Sequence, residues 1–221
     1  MRAPEMNAST NNDACMTQNI EEANRLLDEA GWEMGGDGVR TRDGERLSIL
    51  YQTSTNSVRQ AAQALIKQWW NEIGVEVELR NIDAGVFFGA DPGSPDTLQK
   101  FYADVEMYAN NFDGTDPEKY LGDWVCSEIP EPASQWQGGN TSRFCTEEFD
   151  ALHAKLGETA GLEERGKIAI ELNDMIVNSP SYIPLVWRGR VSSKSNTLGG
   201  VIMNPWDSEL WNAADWYRVK E

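Results

Sequence analysis

Residues 47–82 contain the pattern that most restricts the fold, because two strand-like stretches are joined by a stretch of helical spacing. Residues 57 to 73 carry apolar side chains on one predicted helical stripe, and Gly74 ends this helix. The stripe comprises Val58, Ala61, Ala62, Leu65, Trp69 and Ile73. Alternating apolar residues flank the helix, with Leu47, Ile49 and Tyr51 before it and Val75, Val77 and Leu79 after it. A crossover of this length can join parallel strands, so the sequence predicts a β-α-β unit and an α/β fold.

Further elements are predicted on both sides of this unit. A helix begins after Asn19, a good N-cap with Glu22 three residues later, and ends at Gly31. A hairpin turns at Asp43 and Gly44 and leads into the strand at Leu47. Downstream, the patterns predict a strand near 103–109, helices at 147–157 and 162–178, a strand at 181–193 and an aromatic-rich end at 204–218.

The charge balance excludes some classes of partner. The chain has 36 acidic and 19 basic side chains, a net charge of −17, so a nucleic acid or an anionic membrane surface would be repelled. Its one histidine, His153, lies among helix-type residues and is interpreted as a surface residue rather than a zinc ligand or catalytic base. No metal or other cofactor is expected. The first twenty residues contain no apolar run, so neither a signal peptide nor a membrane span is expected there.

The cysteines indicate an oxidising compartment. Cys126 and Cys145 bracket a loop rich in Pro, Gly and Ser, and we expect a disulfide between them, with two reduced thiols as the alternative. Cys15 is left over, and we expect its partner in a part of the protein outside this chain.

A loop beginning at residue 107 holds candidate ligand contacts. In "MYANNFDGTDPEKY", Asp113 either satisfies its own backbone as a turn residue or presents a carboxylate beyond the end of a strand. The aromatic residues near this loop offer stacking surfaces for a ligand, although packing in the core is an equally good reading of each. They are Tyr108, Trp124 and Trp136.

Several segments, in order, carry a resemblance to a known family. They include "EEANRLLDEAGW", "LSILYQTSTNSVRQAAQALIKQWWNEIGVEVELRNID", "FYADVEMYANNFDGTDPEKYL", "IPLVWRGRV" and "NPWDSELWNAADWYR". Together they resemble the C-terminal part of family 5 extracellular solute-binding proteins, the binding components of ABC importers for peptides, nickel and oligosaccharides. The resemblance covers nearly all of the chain after about residue 15.

The resemblance implies a fold and a domain arrangement. It implies a type II periplasmic-binding-protein lobe, with a mixed sheet flanked by helices, truncated from a two-lobe protein whose lobes close on the ligand. Residues 1–186 would be the C-terminal ligand-binding lobe, and residues 187–221 would cross back to the missing N-terminal lobe. A periplasmic or extracellular location, an N-terminal membrane anchor absent from this chain and ABC permease partners follow from the same resemblance.

The resemblance also implies site residues. Residues 113–117 fit a pattern Asp-x-x-Asp-Pro in which the first Asp binds the α-ammonium group of a peptide, so Asp113 is the implied charge partner. Asn110 and Asn111 stand where the peptide binders have a Gly-Trp-type stretch, and their amides suit sugars as well as peptides. Oligosaccharide and nickel binding therefore remain alternatives within the family. The implied polar pair beside the second loop cysteine is Asn140 and Arg143.

Two functions of other classes are alternatives to a binding protein. A glycoside hydrolase needs only two suitably spaced carboxylates, but no Ser/His or Cys/His arrangement is visible, and we predict no enzymatic activity. An acidic protein-interaction domain would use the tryptophans of the final segment, residues 204–218. Because a cleft wall and an apolar tail would be exposed in a single lobe, self-association of this chain is also expected.

Overall fold

The computed structural model describes residues 17–111, 116–186, 189, 191–204 and 208–219. The helices of this part are α1 (Ile20–Glu29), α2 (Ser57–Glu72), α3 (Ala84–Phe87), α4 (Glu118–Leu121), α5 (Glu147–Glu158) and α6 (Leu162–Val177). The strands are β1 (Glu33–Met34), β2 (Arg40–Arg42), β3 (Glu45–Arg46), β4 (Ser48–Ser54), β5 (Glu76–Ile82), β6 (Val105–Met107), β7 (Leu198–Gly199) and β8 (Tyr217–Arg218). Short 3₁₀-helices span Gly122–Trp124, Cys126–Glu128, Pro132–Ser134 and Ala213–Asp215.

A three-stranded parallel sheet carries the predicted β-α-β unit. The strand order is β5-β4-β6, and both neighbours run parallel to β4. Tyr51 lies opposite Leu79 on one side and Val105 on the other, and these side chains share the face on which α2 packs. The α/β prediction and the parallel crossover are therefore confirmed.

The buried face of α2 differs in part from the predicted stripe. Val58, Leu65 and Trp69 are exposed, at 75%, 50% and 43%. The residues packed against the sheet are Ala62, Ile66, Trp70 and Ile73. The Trp70 ring lies 5.6 Å from that of Tyr51. Apolar residues form two neighbouring stripes on this helix, and the position of the sheet, which the helix sequence does not contain, decides which stripe is covered.

The N-terminal elements are joined by Arg40. α1 is capped as predicted, because the Asn19 side chain accepts a hydrogen bond from the Glu22 backbone N–H at 2.9 Å. The hairpin β2–β3 turns at Asp43 and Gly44, whose φ values of 54° and 87° suit a tight two-residue turn. Arg40 is 2% exposed, and its backbone N–H donates to the carbonyl of Gly74 at 2.8 Å.

Gly74 is required where α2 meets β5. Its φ is +85°, and a Cβ added there would lie 2.6 Å from Cγ of Arg40 and 2.9 Å from Cε of Met34. Any larger residue would displace the arginine from its buried position.

Helices α5 and α6 pack together through apolar residues. Both begin where predicted, and each ends within one residue of the predicted end. Thr146 caps α5 by accepting the N–H of Phe149 at 3.1 Å. Phe149 and Leu156 are fully buried on α5, as Leu172 is on α6.

The predicted strand at 181–193 is wrong for the part of it that the structure describes. Residues 181–186, 189 and 191–193 have no regular structure. A strand forms only where a neighbouring strand satisfies its backbone groups, and no such ladder is present along these residues. The final segment instead forms the short antiparallel pair β7–β8, and Trp216 donates to the Asn212 side chain at 3.0 Å.

The chain divides into two compact units. One is built from Asn12–Asn110 and Cys126–Phe144, and the other includes Asn111–Val125 and Cys145–Glu221. The predicted boundary between residues 186 and 187 stays a prediction. Across the described ranges, no helix is both long and apolar enough to cross a membrane.

Candidate functional site

The candidate site lies past the carboxyl ends of β4 and β6, in the unit that holds the parallel sheet. β6 ends at Met107, and the predicted contacts Tyr108 and Asn110 follow it directly. In open parallel sheets, ligands bind outside the carboxyl ends of the strands, where loops bring polar groups together. The topology therefore places this part of the chain where a ligand site is expected.

Tyr108 and Arg143 are held close to the same short segment. The hydroxyl groups of Tyr108 and Thr141 are 3.1 Å apart, and the Arg143 guanidinium donates to the Thr141 carbonyl at 2.8 Å. Arg143 also donates to the carbonyls of Gln99 and Lys100, each at 3.1 Å. Arg143 therefore joins the 99–101 segment to the loop that contains Thr141.

Trp136 is a half-buried aromatic surface in this unit. Its ring meets Tyr102 edge to face at 6.2 Å, and the Lys100 ammonium lies 4.1 Å from its centroid. Lys100 is 8% exposed and donates to the Pro92 carbonyl at 2.8 Å. A lysine buried against an aromatic face gains attraction from the ring quadrupole, which offsets part of its desolvation.

Backbone strain is concentrated in these loops. Phe101, Gln135, Trp136 and Arg143 have φ between 50° and 63°, a left-handed conformation that is uncommon for residues other than glycine, asparagine and aspartate. Each such residue costs on the order of 1 kcal/mol and persists only where the surroundings hold it in place. This concentration is independent support for a functional role of the loops.

Asn140 has a structural role in the same unit. It is 1% exposed, its amide donates to the Phe144 carbonyl at 2.6 Å, and its backbone N–H donates to the Glu128 carbonyl at 3.0 Å. One bond from the side chain and one from the backbone thus hold Asn140 within the loop, and its expected ligand contact stays a prediction. Cys126 and Cys145 are disulfide-bonded, in agreement with the prediction.

Trp124 belongs to the other compact unit, where it packs in the core. It is 5% exposed, and its ring meets Tyr120 at 4.9 Å and Tyr182 at 5.7 Å, both edge to face. This packing matches the alternative predicted from the sequence, and a ligand contact by Trp124 stays a prediction. Asn111 is in the same unit and is exposed, as is Asn110 in the first unit.

The two aspartates of the Asp-x-x-Asp-Pro pattern have different outcomes. Asp113 lies outside the described residues, so its proposed role stays a prediction. Asp116 accepts the N–H of Glu118 at 3.0 Å and pairs with Arg165 at 2.7 Å. The Arg165 hydrogen bond is the main cause that lowers the pKa of the Asp116 carboxyl below its usual value. Asp116 is thus a structural residue at the start of α4.

The structure adds residues that sequence reasoning missed. Lys100, Glu106 and Thr141 each have a buried or half-buried polar side chain near the predicted contacts. Of these three residues, Glu106 is the one that the sequence could have indicated, because its carboxylate follows the apolar Val105 within a predicted strand. In chemical terms, the region provides aromatic faces, hydroxyl groups and amides, which suit binding by stacking and hydrogen bonding. Within the described ranges, no group of three or more His, Cys, Asp or Glu residues is placed to hold a metal ion.

Comparison of sequences relates the chain to bacterial solute-binding proteins. The family model for bacterial extracellular solute-binding proteins, family 5 Middle, matches residues 3–129. The oligopeptide-binding protein OppA of Lactococcus lactis subsp. cremoris is 40% identical over 67 residues, which are 29% of this chain and 11% of that protein. Di/tripeptide-binding protein 4 of Pseudomonas aeruginosa is 23% identical over 185 residues, 84% of this chain and 31% of that protein.

Comparison of structures shows the same fold in larger proteins. NikZ from Campylobacter jejuni, solved in complex with Ni(L-His), aligns with a TM-score of 0.69 and 18% identity, over 91% of this chain and 39% of NikZ. AppA from Bacillus subtilis, solved with a nonapeptide, aligns with a TM-score of 0.66 and 20% identity, over 91% of this chain and 38% of AppA. The chain therefore spans less than half the length of these proteins. With the family model matching more than half of its residues, the chain belongs to the family 5 bacterial extracellular solute-binding proteins.

Proposed function

We propose that this chain is the C-terminal part of the substrate-binding component of an ABC importer for peptides or related solutes. The observation that carries the proposal is the family match over residues 3–129, combined with a polar and aromatic region past the carboxyl ends of a parallel sheet. The ligand is bound in a cleft whose second wall is an N-terminal lobe. The protein acts in the periplasm or outside the cell, next to ABC permease subunits, and is held at the membrane by an N-terminal anchor.

Peptides are the favoured ligands because of the residue types near β6. Trp136 offers a stacking face, Tyr108 and Asn110 offer hydrogen-bonding groups for peptide amides, and Asp113 is proposed to bind the terminal ammonium group. Two relatives named for binding peptides, OppA and di/tripeptide-binding protein 4, support the same choice. Oligosaccharides are the second candidate, because hydroxyl and amide groups with an aromatic face also suit sugars.

The chain alone should bind its ligand weakly. With one wall of the cleft, the ligand stays partly hydrated, and an exposed ion pair contributes about 0–1 kcal/mol. Each 1.4 kcal/mol changes the affinity about tenfold, so loss of half the contacts moves a micromolar ligand to about the millimolar range. We expect no calorimetric signal at micromolar peptide. The same exposed wall is the basis for the proposed self-association, which equilibrium sedimentation would reveal as a concentration-dependent mass.

NMR titration with di- to pentapeptides at millimolar concentration tests the proposal. Shifts should be centred on residues 108–111 and on the Trp136 indole, and Trp136→Ala should weaken binding about fivefold, the effect of about 1 kcal/mol of stacking. Trp69→Ala removes an exposed tryptophan on α2 and is the matched control.

Two outcomes would contradict the proposal, and a third would contradict only the role proposed for Asp113. Micromolar binding by the 221-residue chain alone would contradict the single-wall reading. Cleavage of the added peptides or oligosaccharides, followed by mass spectrometry, would indicate an enzyme. In a protein extended by an N-terminal lobe, unchanged affinity after Asp113→Ala would indicate that Asp113 is a turn residue and does not bind the ligand.

A further inference from the structure

Two buried oxygen atoms on neighbouring strands have no hydrogen-bond partner among the residues that the structure describes. Gln52 on β4 and Glu106 on β6 are opposite each other in the parallel register, and Gln52 is 2% exposed. Nε2 of Gln52 donates to Oε1 of Glu106 at 2.8 Å. Oε1 of Gln52 and Oε2 of Glu106 are buried and have no partner in the described part of the chain. The unsatisfied atoms thus belong to two groups that already touch each other.

An ionised Glu106 cannot satisfy these atoms. A carboxylate and an amide oxygen are both acceptors, so neither can donate to the other. Turning the Gln52 amide over does not help, because its oxygen would then face Oε1 of the carboxylate. A single proton on Oε2 changes the situation, since the resulting O–H can donate to Oε1 of Gln52. The acid and the amide then form a ring with two hydrogen bonds and no orphaned oxygen.

The cation that acts electrostatically on Glu106 makes its hydrogen bonds elsewhere. Arg143 is the charged group whose field acts on Glu106, and it favours the ionised form. Its guanidinium, however, donates to the backbone carbonyls of Thr141, Gln99 and Lys100. Burial outweighs the opposing effects of Gln52 and Arg143 and raises the pKa of Glu106 to about 8.

Other charged groups around the sheet also have partners of their own. Arg80, opposite Gln52 on β5, pairs with Asp96 at 2.5 Å. Lys100 donates to the Pro92 carbonyl. Asp104, two residues before Glu106, accepts the N–H of Leu50 at 2.7 Å. These charged groups therefore bond to other partners, whereas the Gln52 amide donates to the Glu106 carboxyl.

We propose that Glu106 is held as a neutral carboxylic acid that closes a two-bond ring with Gln52 and thereby clamps β6 to β4. The clamp lies just before Tyr108, the first residue of the candidate site after β6. Protonation of the Glu106 carboxyl therefore controls how firmly this end of β6 is held to β4. Above the pKa the ring loses its second bond and a buried charge appears, which favours opening of β6. The inference does not depend on the proposed transport function.

Carbon-13 NMR of protein labelled at the glutamate carboxyl carbons tests the protonation state directly. One signal, assigned by its absence in Glu106→Gln, should titrate with a midpoint near pH 8. If Glu106→Gln does not fold, side-chain correlations in the wild-type protein supply the assignment. A Glu106 signal titrating between pH 4 and 5, as an exposed carboxyl does, would overturn the proposal.

Amide hydrogen exchange tests the clamp. After correction for intrinsic exchange, the opening constant of the β4–β6 ladder should rise about tenfold per pH unit between pH 5 and 8. Glu106→Gln should abolish this rise, because an amide at this position supplies the same two hydrogen bonds at every pH. Glu78→Gln removes an exposed carboxyl from the same face of the sheet and should behave as the wild type. Equal pH dependence in wild type and Glu106→Gln would refute the clamp.

Discussion

Replacement of Arg40 by methionine tests how the N-terminal elements are held to the sheet. The guanidinium donates to the Ile73 carbonyl at 2.8 Å, to the Asn24 side chain at 2.7 Å and to Asp28 at 2.5 Å, and it also donates to the Trp32 carbonyl. One buried side chain thus connects α1, the end of α2 and the segment before β1. Methionine keeps much of the length and apolar contact but none of the donors.

The size of the effect follows from what each partner loses. Asp28 is 67% exposed and regains water, so its loss is small. The carbonyls of Trp32 and Ile73 lose a charged donor, and each unsatisfied buried acceptor costs about 1–3 kcal/mol. Together with the Asn24 contact, we expect Arg40→Met to lower the free energy of unfolding by about 3–5 kcal/mol. A domain is typically stable by only about 5–15 kcal/mol, so the variant should be close to unfolding.

Urea unfolding, followed by the NMR signals of α1 and β2, measures this loss of stability in the compact unit that contains Arg40. Arg42→Met is the matched control, because Arg42 is on the same strand but is exposed and makes one longer bond, 3.2 Å, to the Ala30 carbonyl. The control should lose less than about 1 kcal/mol. Equal losses in the two variants, or an Arg40→Met variant as stable as the wild type, would refute the reasoning.

Three further predictions concern single bonds or charges. A non-reduced digest should contain a peptide linking Cys126 and Cys145, and reduction should cost about 3 kcal/mol of stability; two free thiols in protein prepared without reductant would contradict this. Arg165→Gln should lower the stability only slightly at neutral pH, because its carboxylate partners are partly exposed. Since Arg165 lowers the pKa of Asp116 in the folded state, that contribution is present above the unfolded pKa of about 4 and is lost as the pH falls through the folded value, so acid unfolding curves of wild type and variant should converge. The contribution of Glu106 to stability depends on pH in the opposite direction. Its pKa is raised from 4.5 to about 8 on folding, so stability falls by about 1.4 kcal/mol per pH unit between these values, and Glu106→Gln should be more stable than wild type by about 3 kcal/mol at pH 7 but not at pH 4.

Local signals predicted most of the regular structure. The crossover between β4 and β5, the turn at Asp43 and the cap at Asn19 depend on residues close in sequence, and the structure confirms each of them. Such features follow from backbone geometry and short-range hydrogen bonds. The residues that determine them are neighbours in the sequence, so they can be predicted from it.

Features that depend on distant parts of the chain were harder to predict. Which stripe of α2 is buried depends on the sheet, and the strand expected at 181–193 lacks a ladder partner. The core packing of Trp124 and the hydrogen bond from the Asn140 side chain to the Phe144 carbonyl also depend on the tertiary structure, and the ligand contacts expected of both residues stay predictions. The neutral state inferred for Glu106 requires a neighbouring strand 54 residues away in sequence. Pairwise contacts of this range are invisible to periodicity and composition.

The strained loops bear on why a single lobe would bind weakly. Trp136 and Arg143 keep left-handed backbone conformations, and Arg143 holds its own segment to residues 99–101 through carbonyl hydrogen bonds. A loop held in this way has already lost its conformational entropy, so a ligand need not order it again on binding. In the proposed two-lobe arrangement, the second wall of the cleft comes from an N-terminal lobe, and adding that lobe should raise the affinity without changing the backbone around Trp136.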